Sequence, residues 1–210
     1  QINFSKRNDK DSVIVINLAI GNISRPMYPA MRKALLDLGT KRKSDGVVKY
    51  TPTVGTDNAR NAFLKILSAE GYDNTGIFSM VTDGGSSAME LMLLGVCGPA
   101  SKKPILFIDP TYTNYIDFAN RLSIPIVSVN RQIDDNGVFT SLNMNAIESI
   151  ILKEKPNGLL FIPYDNPTGQ FLSKKVICDL ASIAVKNDIW LISDEAYRSL
   201  SYVRNESSSI

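Results

Sequence analysis

Residues 158–194 read GLLFIPYDNPTGQFLSKKVICDLASIAVKNDIWLISD, from Gly158 to Asp194. The run Gly158-Leu159-Leu160-Phe161-Ile162 is continuously apolar rather than alternating, which marks a strand buried on both faces. A polar cluster follows it. Val176, Ile177, Leu180, Ile183 and Ala184 then recur at helical spacing, with Ser173 ahead of them and Lys186 at their end. A second apolar run, 188–193, closes the unit and delivers Asp194. Strand, helix and strand with this burial signature predict a parallel sheet covered by helices.

The unit repeats outward. Residues 78–82, 104–108 and 125–129 are short apolar runs, followed by helical segments at 86–96, 112–122 and 143–153. Five such alternations predict an open α/β fold, mostly parallel, with helices on both faces of the sheet. Further upstream, Ala59, Ala62, Phe63, Ile66 and Leu67 form another helical stripe, with Thr56 as N-cap and Gly71 as stop.

Composition excludes several classes of function. The chain has 210 residues and no histidine, so a Ser-His-Asp or Cys-His relay, or a histidine-built metal site, cannot form within it. No metal site is expected. Twenty-three basic against twenty-one acidic residues leave no bulk attraction to nucleic acid or to an anionic membrane. Lys41-Arg42-Lys43 reads as a solvated loop. Cys97 and Cys178 form no CxxC pair and read as small buried hydrophobes with reduced thiols, which suits the cytoplasm. No apolar stretch approaches the ~20 residues of a membrane helix.

In open α/β sheets, ligands sit beyond the carboxyl ends of the strands. Four clusters fall there: Gly84-Gly85-Ser86-Ser87, Asp109-Pro110-Thr111-Tyr112, Tyr164-Asp165-Asn166-Pro167-Thr168-Gly169 and Asp194-Glu195-Ala196-Tyr197. Each has a plain structural reading taken singly. The first can be a capped turn, the third a β-turn, Asp194 a capping acid, and Tyr112 and Tyr115 core aromatics. Together they supply a phosphate cradle at a helix N-terminus, a flat aromatic, an amide and a carboxylate. That set fits a flat, phosphorylated, nitrogen-containing ring such as pyridoxal 5'-phosphate (PLP), whose electron-sink chemistry needs a protonated ring nitrogen.

The motifs also run in a familiar order. Leu18-Ala19-Ile20-Gly21, Tyr50 in Tyr-Thr-Pro-Thr-Val-Gly, Gly84-Gly85-Ser86-Ser87-Ala88, Pro110-Thr111-Tyr112, Asn166-Pro167-Thr168-Gly169 and Asp194-Glu195-Ala196-Tyr197 resemble the class I/II aminotransferases, the aspartate aminotransferase superfamily of fold type I PLP enzymes. The resemblance covers nearly the whole chain. It implies that Gly85, Ser86 and Ser87 hold the phosphate, and that Tyr112 stacks on the pyridine ring. It implies that Asn166 and Tyr197 bond the phenolic oxygen, and that Asp194 pairs with the ring nitrogen. Tyr115 would support Asp194. Tyr50 would reach the phosphate of a neighbouring subunit's cofactor, which makes a homodimer with shared sites. Gly21 and Asn22, with Asn166, would lie near the substrate carboxylate. The implied activity is transfer of an amino group between an amino acid and a 2-oxo acid.

One departure stands out. The family's Schiff-base lysine lies a few dozen residues after the Asp-x-Ala-Tyr motif, and no lysine follows Asp194 here. Lys174, Lys175 and Lys186 belong to the preceding helix and read as its solvated face. The chain is therefore expected to be the N-terminal half of such an enzyme and inactive by itself. Residues 1–30 would form an N-terminal arm and part of the small domain, and 31–210 the first part of the large, PLP-binding domain. Two alternatives remain on these residues. One is another reaction on the same fold (a C–S lyase, decarboxylase or synthase). The other is the PLP-binding domain of a transcriptional regulator, which the balanced charge and the absence of an upstream DNA-binding segment disfavour.

Overall fold

The structure is a computed structural model and describes residues 26–41 and 49–198. The chain divides into two compact units, 1–50 and 51–210. In that unit, α1 (Pro29–Lys41) begins with proline at its first position, where the missing N–H has no intrahelical partner anyway. Lys33 bonds Asp37 one turn on, at 2.7 Å. Lys41, expected in a loop, is the last residue of this helix.

The second unit is built on four strands. These are β1 (Ile105–Asp109), β2 (Ile126–Asn130), β3 (Gly158–Phe161) and β4 (Trp190–Ser193). All pairs are parallel, in the order β2-β1-β3-β4. The helices are α2 (Asp57–Ala69), α3 (Gly84–Cys97), α4 (Thr113–Arg121), α5 (Met144–Glu154) and α6 (Lys174–Lys186).

Continuous apolar strands mean two cores, because alternate side chains point to opposite faces. Ile105, Phe107, Leu160, Ile162 and Ile192 pack on one face with Met89 and Leu93 of α3 and Tyr115, Phe118 and Ala119 of α4. Leu106, Ile108, Leu159 and Phe161 pack on the other with Ile147 and Ile151 of α5 and Ile177 and Leu180 of α6. Gly158 is needed where the sheet meets α3: a Cβ there would lie 2.9 Å from Val96 Cγ1 and 3.2 Å from the Trp190 carbonyl oxygen.

Three expectations need correction. Residues 78–82 form no strand. Phe78 is 93% exposed, and the backbone contact of this stretch with the preceding loop is a single bond from Val81 N to Val54 O. Apolar composition makes a segment able to pair, but a ladder also needs a neighbouring strand. The stripe on α2 is the second case: no residue of that helix is buried, although Thr56 caps it as expected. The third is Cys178, which lies on the exposed side of α6, whereas Cys97 is half-buried and its thiol pKa is raised by that burial. Among the described residues no helix is long and apolar enough to cross a membrane.

Candidate active site

Beyond the carboxyl ends of β1, β3 and β4 lies a cleft of about 230 Å³. Gly85 and Ser86, Tyr112, Asn166, Asp194 and Tyr197 all line it, together with Met89, Tyr115, Phe118, Ile162 and Ala196. Six of the expected site residues are thus brought together from four separate stretches of chain.

Asp194 emerges directly from β4. Its N–H donates to the Phe161 carbonyl at 3.0 Å, which carries the parallel ladder one step past the strand and fixes where the carboxylate leaves the sheet. Oδ1 accepts the Ala196 N–H at 2.9 Å, and Oδ2 accepts the hydroxyl of Tyr115. Tyr115 is 1% exposed and packs edge-on against Tyr112, with ring centroids 5.5 Å apart. Burial above all, and then the bond to Asp194, push the Tyr115 phenol well above the usual tyrosine range. It therefore stays protonated and remains a donor to the carboxylate. Tyr112 takes a bond from the Asn114 amide at 3.0 Å through its hydroxyl. The Asn166 amide stands 3.5 Å from the Tyr197 hydroxyl.

The helix ends differ in a telling way. Side chains cap α2, α5 and α6 through Thr56, Asn143 and Ser173. Neither α3 nor α4 has a side-chain cap, and neither carries an acidic residue in its first turn. At α3 the backbone turns in through Gly84 at φ +86°, and a Cβ added to Gly85 would find no atom within 4 Å. The Gly84 N–H already donates to the Thr82 carbonyl at 2.8 Å, so it is the next N–H groups of the first turn, those of Gly85 and Ser86, that are left for an anion, with the helix dipole behind them. Backbone donors, a fixed carboxylate and an aromatic ring lining one cleft suit a flat ligand carrying an anionic group and a basic nitrogen.

This geometry agrees with what the chain resembles. The model of the family described as aminotransferase class I and II matches residues 13–207. The chain belongs to the class I and II aminotransferases. An aspartate aminotransferase of Sulfolobus acidocaldarius is 30% identical over 87% of this chain and 44% of its own length. The solved N-succinyldiaminopimelate aminotransferase of Mycobacterium tuberculosis superposes with a TM-score of 0.74 at 25% identity, over 88% of this chain and 46% of that one. A PLP-bound C–S lyase from Staphylococcus hominis shares the fold, with a TM-score of 0.61 at 19% identity over 77% and 40% of the two chains. This aminotransferase chain spans about half the length of the relatives it matches.

Ser87 does not line the cleft; its hydroxyl donates to the Asp83 carbonyl at 3.4 Å. Tyr50 is fully exposed and belongs to the first unit. Gly21 and Asn22 lie outside the described residues.

Sequence reading missed the ion pair of Arg131 and Asp165 at the rim of the sheet, 2.8 Å apart, with side chains 1% and 2% exposed. The available signal was opposite charges at the carboxyl ends of two neighbouring apolar runs.

Proposed function

We propose that this chain supplies the cofactor-binding half of a PLP-dependent aminotransferase that moves an amino group between an amino acid and a 2-oxo acid. The observation that carries this reading is the Asp194 carboxylate, held by Tyr115 and Ala196 N–H across a cleft from the uncapped start of α3. The donor set fits PLP in three respects: N–H groups and the Ser86 hydroxyl for a phosphate, a carboxylate for a pyridinium, and an amide and a phenol for the ring's phenolic oxygen.

When bound, PLP withdraws electrons from the amino acid's Cα and makes proton loss there easy. Asp194 holds the proton on the ring nitrogen, because a carboxylate beside a basic nitrogen favours its charged form. Tyr115 keeps Asp194 pointed at that position and shields it from water. Asn166 and Tyr197 orient the ring from its opposite edge, and Gly85 and Ser86 anchor the phosphate. Tyr112 covers one face of the ring. Gly21 and Asn22 would meet the substrate carboxylate.

The enzyme would act as a homodimer, with Tyr50 serving the partner's phosphate. The exposed apolar side chains of Phe63, Ile66 and Phe78 support an interface on the second unit. Two free cysteines suit a reducing compartment such as the cytoplasm. C–S lyase chemistry on the same fold is the second reading, supported by the PLP-bound lyase. The relative at 30% identity favours transamination.

The test is titration of the chain with PLP, followed by absorbance. Asp194→Asn should weaken binding at least tenfold while circular dichroism stays native. In the full-length enzyme the same change should lower kcat by orders of magnitude. Native affinity in Asp194→Asn would refute the assignment.

A further inference from the structure

Arg131 stands one residue past β2, two strands away from the loop that carries Asn166. Its own N–H donates to the Asp109 carbonyl at the end of β1, at 2.8 Å. Its side chain then crosses the end of β1 to the loop after β3. Adjacent strands lie about 4.8 Å apart, so only the long side chains of arginine and lysine span that gap with a charge at the tip.

There Nη1 meets three acceptors: Asp165 Oδ2 at 2.8 Å, Thr168 Oγ1 at 2.8 Å and Gln170 Oε1 at 3.1 Å. All three belong to one tight loop. Asp165 N–H donates to Gln170 O, Gly169 N–H to Asp165 O and Leu172 N–H to Pro163 O. Asp165 Oδ2 also takes the Thr168 N–H at 3.2 Å and the Thr168 hydroxyl. Gln170 passes the connection on, through its amide, to the Phe139 carbonyl at 2.6 Å. The guanidinium is thus the centre of the 163–172 loop rather than one partner in a surface pair.

A buried pair of charges is an inefficient way to gain stability, since desolvation cancels much of the attraction. What it does give is direction, because the partners are held at defined positions by hydrogen bonds. Asp165 points to Arg131, whereas its neighbour Asn166 lines the cleft. We infer that Arg131 is a positioning residue: by seating Asp165, Thr168 and Gln170 it sets the direction in which the Asn166 amide faces the cofactor cleft. This rests on the role given to Asn166 above, and the experiment separates the two.

Amide hydrogen exchange and PLP titration would be run on the wild-type chain, Arg131→Met, Arg131→Lys, Asn166→Ala and the Arg131→Met/Asn166→Ala double variant. In Arg131→Met, the amides of Thr168, Gly169 and Gln170 should exchange at least tenfold faster, while those of Phe107 and Leu160 keep their protection. Arg131→Lys should fall between, since an ammonium keeps the charge but on a shorter stem that does not reach the Nη1 position. Where Arg131→Met does not fold, Arg131→Lys carries the same readouts. PLP affinity should drop about tenfold in Arg131→Met, and this drop should vanish when Asn166 is already alanine. A purely structural role would give the same loss with and without Asn166. Native loop protection in the Arg131 variants, or an affinity loss independent of Asn166, overturns the inference. If the wild-type chain binds no PLP, the cofactor reading fails, and the exchange rates alone decide whether Arg131 orders the loop.

Discussion

Helices α2 and α6 are alike in length, cap and apolar patterning and opposites in the fold. Each has 13 residues. Each is capped by a hydroxyl that accepts the N–H three residues on, at 3.4 Å in both. Each carries an apolar stripe at i, i+3, i+4, i+7. Yet α6 buries Ile177, Leu180 and Ala184 against the sheet, whereas on α2 Phe63 is 59% exposed and Ile66 51%. The stripe states which side of a helix is apolar. Whether that side finds a cover depends on surfaces elsewhere, and α6 has a four-stranded sheet beneath it while α2 does not.

The comparison can be broken most directly by truncating both stripes. Leu180→Ala should destabilise the chain by about 2–5 kcal/mol, from lost burial and the cavity left behind. Ile66→Ala should cost less than about 1 kcal/mol, since half of that side chain already meets water. Urea unfolding of both variants at low protein concentration reads the difference. Equal losses would mean that α2 is covered in solution.

Caps sharpen the comparison because they act locally. Thr56→Ala and Ser173→Ala should each remove about 1 kcal/mol of stability, alike in size despite the different fates of the helices. Thermal unfolding of the pair checks this. A much larger loss at Ser173 would show that capping and packing are coupled in α6.

The smallest effect is expected at Phe63. Phe63→Ser should leave the stability of the monomer within about 0.5 kcal/mol. It should weaken any self-association measured by sedimentation equilibrium, because the apolar face then loses its largest side chain. Unchanged association would remove the α2 face from the proposed interface.

The same contrast explains how much of the molecule was legible beforehand. Strands β1 and β3 were readable because burial on both faces writes itself as unbroken apolar runs, and β2 and β4 carry the same runs although only Val129 and Ile192 in them are buried. The caps Thr56 and Ser173 were readable because they depend on three or four neighbouring residues. Residues 78–82 were misread as a strand, since pairing is a property of two segments and the sequence shows one. In the cleft, Tyr112, Asn166, Asp194 and Tyr197 could be found by their position after strands. Ser87 was grouped with its neighbours by composition, but its hydroxyl turns back to the Asp83 carbonyl. Arg131 escaped notice because its meaning lies in Asp165, Thr168 and Gln170, more than thirty residues away along the chain.

The bare start of α3 has a practical consequence at the bench. N–H groups without a cap, backed by a helix dipole, attract any small oxyanion, not only the phosphate of one ligand. Phosphate or sulfate in a buffer is then a competitor for the cleft, and it raises an apparent dissociation constant by a factor of one plus the ratio of its concentration to its own dissociation constant. The same ions bind the folded chain and not the unfolded one, so by mass action they raise its melting temperature. Affinity and stability measured in phosphate would therefore err in opposite directions, and a tertiary-amine buffer with chloride, which forms no imine with the PLP aldehyde, is the condition in which the two can be compared.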